Sequence, residues 1–225
     1  MPREQYQTKL ENLRDDVLYM SELVAERLRM GLDALELRDG ELGEKVITGD
    51  AEINELYLEL ERECTDLIAL QQPVAGDLRF IAASFKIITD LERIADLATN
   101  LGAYAGQAER EVFPDVDVQR IGDETLHMLE TAMTAYETSN PDVCYDVADM
   151  DDDLDALCEN ASELVVRDLI EREHLDENEA EVESTMRNVS RLLLTIRDLE
   201  RVGDHTVNIA ARALYMIENN DELLF

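Results

Sequence analysis

Two short segments carry the side chains best suited to chemistry. Glu92, Asp96 and Asn100 follow one another at four-residue steps, and Glu200, Asp204 and Asn208 repeat the pattern. On a helix, residues four apart share a face one turn apart, within reach of a common ion. Asp50 with Asn54, and Asp151 with Asp155, stand one predicted helix earlier in each half, where an antiparallel neighbour would face the same groove. Carboxylate and amide oxygens with almost no His or Cys suit hard or borderline cations such as Mg²⁺, Mn²⁺, Ca²⁺ or iron. A mixed oxygen site does not choose among them.

The competing explanation is charge in bulk. Asp and Glu number 53 against 20 Lys and Arg, for a formal net charge of -33. At that density, chance gives on the order of ten acidic i, i+4 pairs, so a lone E-x-x-x-D carries almost no information. Asp149 with Asp153 reads as such a solvated pair. Chance does not explain a whole segment recurring in register. "DLERIADLATN" at 90–100 matches "DLERVGDHTVN" at 198–208, with Asp, Leu, Glu, Arg, Asp and Asn identical. Upstream, "DAEINEL" at 50–56 parallels "DDDLDAL" at 151–157. A structural role stays open beside the metal one, with Arg93 and Arg201 pairing with nearby carboxylates to lock the fold.

The elements that must position these residues are helices. Apolar residues recur at three- and four-residue steps almost throughout, while Pro numbers only 4 and Gly 9. The spacing predicts helices from about Gln5 to Arg38, with Gly40 as C-terminal cap, from Glu41 to Leu70, and from Ala75 to Ala105. "QQPVAGD" separates the second and third, because proline cannot continue a helix. A fourth helix is predicted from Val116 to Thr138. A fifth opens with Asn140 as N-cap and Pro141 as first residue. A sixth opens on an Asp176/Glu179 capping box and lasts to Asn219. The expected buried stripes include Leu78 and Ile81 on the third, Leu154 and Leu164 on the fifth, and Val182, Met186 and Val189 on the sixth. The fold class is therefore all-α: six helices as two tandem, pseudo-symmetric three-helix bundles, residues 1–108 and 109–225, joined near the polar "QAEREVFPDVD".

These residues resemble the PhoU family. "QQPVAGDLRFIAASFKIITDLERIAD" and "LLLTIRDLERVGDHTVNIA" are similar to its two signature helices, and "VITGDAEINELYLELE" and "VADMDDDLDALCE" to their partner helices. The resemblance spans nearly the whole chain. It implies a regulator of phosphate uptake, not an enzyme, attached to the phosphate-specific ABC transporter through its ATPase subunit and, in bacteria, to a phosphate-sensing kinase. It also implies a homodimer, and metal clusters of divalent or trivalent ions (iron, zinc, Mn or Mg) on E(D)-x-x-x-D motifs. The implied ligands are Asp50, Glu92 and Asp96 in the first half, and Asp151, Asp155, Glu200 and Asp204 in the second. This chain departs from the pattern at Asn54, where a carboxylate is expected, at Ala95, where Gly is usual, at "NLG" after Thr99, and at Thr185, where the first repeat has Asp77. The second site is the better endowed.

Several classes are disfavoured. The acidic excess reads as a halophile's solvated surface and repels nucleic acid, and no run of Lys and Arg offers a basic patch. Cys64, Cys144 and Cys158 lack C-x-x-C spacing and read as small buried hydrophobes. The N-terminal residues lack the apolar stretch of a signal peptide, and no apolar run approaches the roughly 20 residues that span a bilayer. The expectation is a soluble cytoplasmic protein that meets the membrane only through the transporter. One enzyme alternative is a ferritin-like di-iron protein built on Glu124 with His127 and Glu171 with His174. Another alternative is a metal-free helical adaptor. His205, beside Asp204 on a different face, reads as a surface residue.

Overall fold

The computed structural model describes residues 3–70, 73–106, 116–172 and 179–224. Six α-helices account for nearly all of them: α1 Arg3–Leu37, α2 Gly40–Leu70, α3 Ala75–Ala105, α4 Val118–Thr138, α5 Pro141–Arg172 and α6 Glu179–Glu218. Helix α1 shows why the sequence folds this way. Tyr6, Leu10, Leu13, Val17, Met20, Val24, Leu28 and Leu32 fall on one stripe and are all buried. Helices α1, α2 and α3 pack as one bundle and α4, α5 and α6 as the other, around one continuous apolar core. The halves meet through α3 against α6 and α1 against α4. Among the described residues, helices α2 and α5 touch only members of their own bundle, so they are the outermost pair.

Local signals place the boundaries. Asn140 caps α5 by accepting from the Asp142 amide at 3.2 Å, as its sequence position predicts. Gly40 is not the cap of α1. Arg38 adopts the left-handed conformation (φ 54°) that ends that helix. Asp39 then caps α2, its Oδ1 accepting from the Glu41 and Leu42 amides at 2.9 and 3.1 Å. Gly40 opens α2 instead, where a Cβ would lie 3.3 Å from the Gly106 Cα. A tighter contact follows one turn on. A Cβ on Gly43 would stand 2.4 Å from the Gly102 carbonyl oxygen, so α2 and α3 touch backbone to backbone there. That contact accounts for the glycine of "NLG". The expected junction at 107–115 and Asp176 of the expected capping box lie outside the described residues.

The two bundles differ in length. Helix α1 has 35 residues and α4 only 21, a difference of about 21 Å of helix axis. Helix α4 is also far shorter than its partners α5 (32 residues) and α6 (40 residues), so it cannot run beside their whole length. Leu164, Val182 and Met186, expected in the core by period, are therefore 37%, 47% and 50% exposed. Leu78, in the first turn of α3, is also exposed. All three cysteines are buried and free, as their apolar surroundings predict.

Candidate metal-binding grooves

Each acidic segment lies where an outer helix packs on a central one. In the first groove α2 supplies Asp50 and Asn54, and α3 supplies Glu92 and Asp96. Burial raises the Asp50 carboxyl above its usual range, the nearby Asp96 charge adds to this, and a hydrogen bond from Asn54 opposes it. That bond, Asn54 Nδ2 to Asp50 Oδ2, is 2.6 Å long. Glu92 is raised by burial and by Asp96 and Asp50, against the opposing fields of Arg93 and His205. Arg93 lies across both α3 acids, with Nε 3.5 Å from Glu92 Oε2 and Nη1 3.4 Å from Asp96 Oδ2. Three carboxylates here share one arginine and one amide.

The second groove places Asp151 and Asp155 of α5 against Glu200 and Asp204 of α6. Its balance is different. Asp151 is pushed up to about 6 by burial first, then by Asp155, Asp204, Asp152 and Glu200. Every named charge acts in the same direction. Glu200 is likewise raised by burial, Asp155 and Asp204. Asp151 Oδ1 is buried with no hydrogen-bond partner. Gly203 makes this approach possible, since a Cβ there would lie 2.4 Å from Leu154 Cδ2 and 3.1 Å from Asp151 Oδ1. Ala95 holds the matching place in the first repeat and is itself buried.

An orphaned carboxylate oxygen among four acids fits a cation, because a buried acceptor without a donor is costly until something positive meets it. The donor set is all oxygen in both grooves, which suits hard or borderline ions. No three His, Cys, Asp or Glu side chains among the described residues already stand as a closed metal site.

The asparagine rungs part from the acids. Asn100 Nδ2 donates across the bundle interface to Asp198 Oδ2 at 3.2 Å, so its amide serves the joint between halves. Asn208 is exposed. Asp198 is wholly buried, and it also accepts from Tyr104 Oη at 2.8 Å and from Arg197 Nη2 at 3.0 Å. Arg201 Nη1 stands 3.9 Å from Oδ1, the oxygen that accepts from Arg197. The first repeat's counterpart, Asp90, pairs with His205 Nδ1 at 2.9 Å. His205 is therefore a partly buried interface residue rather than a surface one. Sequence reasoning passed over Asp90 and Asp198, although both open the repeated segment in register. Of the ferritin-like set, His127 on α4 and Glu171 on α5 are exposed and Glu124 is half-buried, while His174 lies outside the described residues.

Comparison with known proteins gives consistent matches. The family model described as PhoU domain matches residues 17–105 and 118–213. The phosphate-specific transport system accessory protein PhoU homolog 1 of Methanothermobacter thermautotrophicus is 34% identical over 219 residues, 96% of this chain and 95% of that protein. The corresponding homolog of Clostridium acetobutylicum is 30% identical over 220 residues, 96% of each. The crystal structure of PhoU from Pseudomonas aeruginosa superposes with a TM-score of 0.86 at 29% identity, covering 96% of this chain and 100% of that one.

Proposed function

Because the chain belongs to the PhoU family, an accessory and regulatory family rather than an enzymatic one, we propose that it regulates phosphate uptake and cellular phosphate homeostasis. The observation that carries this reading is the near full-length match to phosphate-specific transport accessory proteins, with both repeats included. Its site of action is the phosphate-specific ABC transporter, through the ATPase subunit, with a phosphate-sensing kinase as a second partner where one exists. It acts from the cytoplasm and as a homodimer. Among the described residues no helix is long and apolar enough to cross a membrane, which accords with contact through the transporter.

The same reading assigns divalent or trivalent metal ions to the two grooves. Asp151, Asp155, Glu200 and Asp204 hold the better site, and Asp50, Glu92 and Asp96, beside Asn54, hold the weaker one. A bound cation supplies positive charge to a face that otherwise repels anions and acidic partners. It thereby turns that face into a docking or phosphate-sensing patch. The support is the unpartnered Asp151 oxygen in an uncompensated acidic groove.

The test is elemental analysis of protein purified in its native salt without chelator, wild type against Glu92→Ala/Glu200→Ala, beside phosphate repression of the transporter in cells. Stoichiometric metal in the wild type, lost in the variant at unchanged helicity, supports the grooves as metal sites. No metal in either leaves a metal-free adaptor. Normal repression in cells lacking the protein would overturn the regulatory reading itself.

A further inference from the structure

The charge of this chain makes any uncompensated cation notable. Four of its 20 Lys and Arg residues, Arg187, Arg191, Arg197 and Arg201, lie within four turns of α6. Arg187 and Arg191 line a groove of about 350 Å³ between α6 and the end of α3, together with Tyr104, Met186, Ser190, Leu194 and one acid, Glu183. Arg197 and Arg201 do not line it, but both act on its Tyr104 and share the buried carboxylate of Asp198.

Each guanidinium keeps capacity to spare. Arg191 is half-buried, and among the described residues its guanidinium has one polar partner, the neutral Asn188, whose Oδ1 accepts from Nη1 at 3.1 Å. Half-burying a guanidinium without an anion is unfavourable, and this one does so in a protein with 53 acids. Arg187 is held at 2.8 Å by Glu183, but that carboxylate is 70% exposed and yields readily to a competing anion. Arg197 and Arg201 remain 57% and 47% exposed although Asp198 orients them, so their outer N–H groups face solvent. Glu200, between them in sequence, faces the α5 acids instead.

The geometry points to an anion site here, one that takes an organic phosphate of about nucleotide size. Guanidiniums bind phosphoryl oxygens in bidentate pairs, and arginines four apart on a helix stand close enough to share one group. Tyr104, Met186 and Leu194 form the wall for an apolar or planar body, and the volume is within the range of small-molecule sites. This site uses none of the metal-groove carboxylates, and it does not depend on the phosphate-regulation reading.

The probes are ADP, inorganic phosphate and a glutamate-rich peptide, each titrated calorimetrically into chelator-stripped, desalted protein without divalent ions. ADP is expected to bind more tightly than inorganic phosphate. Arg187→Gln/Arg191→Gln should weaken ADP about tenfold or more, the loss of one charge-assisted contact or better. Arg191→Lys should recover part of that loss, and Arg29→Gln, removing an arginine paired with Glu130 on the far side, should change nothing. Circular dichroism of each variant guards against unfolding as the cause. No ADP binding overturns the proposal, as does binding indifferent to Arg187 and Arg191. Equal affinity for inorganic phosphate removes the organic ligand. Arginine-dependent binding of the peptide alone would make the groove a protein-docking surface instead.

Discussion

In the first groove Arg93 lies within 3.5 Å of both Glu92 and Asp96, whereas in the second the equivalent Arg201 turns to Asp198 and leaves four carboxylates with one another. The segments that supply these side chains keep Asp, Leu, Glu, Arg, Asp and Asn in register, and the arginines part according to the contacts made at the bundle interface. Asp90 receives His205, and Arg93 stays with its own acids. Asp198 gathers Arg197, Arg201, Asn100 and Tyr104, which draws the arginine off the second groove. A duplicated motif therefore fixes which oxygens face the groove, and the neighbouring helix fixes how much charge remains there.

The sharpest way to break this comparison is to delete each pair of acids from α3 or α6. Glu200→Ala/Asp204→Ala is expected to cost roughly 100-fold in metal affinity, and Glu92→Ala/Asp96→Ala about tenfold, by calorimetric titration. A larger loss from the first pair would reverse the ranking. Next in size is Arg93→Gln, which frees both first-groove acids and should raise affinity there about tenfold, while Arg201→Gln leaves the second groove nearly unchanged. Asn54→Asp adds the missing carboxylate and should strengthen the first groove severalfold, with a small loss of stability in the metal-free state.

The smallest effect is one of pH. Asp151 titrates near 6 in the folded chain against an ordinary value of 3.8, so the native state takes up a proton before the unfolded chain does. Metal-free protein accordingly loses that stability as pH rises through about 6 and regains it on acidification. Asp151→Asn should raise the melting temperature by a few degrees at pH 7.5 and scarcely change it below pH 4, in a chelated thermal scan. Asp50→Asn should show the same trend more weakly. Molar salt should shrink both differences, since the Debye length is then about 3 Å.

Much of this was legible from residue type and spacing. Helix periodicity located all six elements to within two residues at the described ends, because each stripe packs on a neighbour over most of its length. It failed at Leu164, Val182 and Met186, where period predicts a buried face but α4 is too short to cover one. The acids Asp50, Asp151, Glu92 and Glu200 fell on facing helices as their register implies. Asn100 did not stay with them, because a four-residue step fixes a face only within one helix and says nothing about a buried carboxylate opposite. The arginines of α6 were hidden for a related reason. No two are adjacent in sequence, and only the helical turn and the end of α3 bring them to one wall.

The shortness of α4 has a consequence for how the molecule opens. Within residues 162–171 of α5 and 182–190 of α6, Val165 and Val189 are the only described side chains that are buried. Free energies of local opening follow buried contact. Amide hydrogens along that outer stretch should therefore exchange well before those of α1 and α3, as a separate cooperative unit. Asp151, Asp155, Glu200 and Asp204 stand at its root, on the fully packed side. The most charged groove is thus seated where the rigid part of the bundle gives way to its loosest part, and any ion that draws α5 to α6 there would slow exchange throughout the outer hairpin.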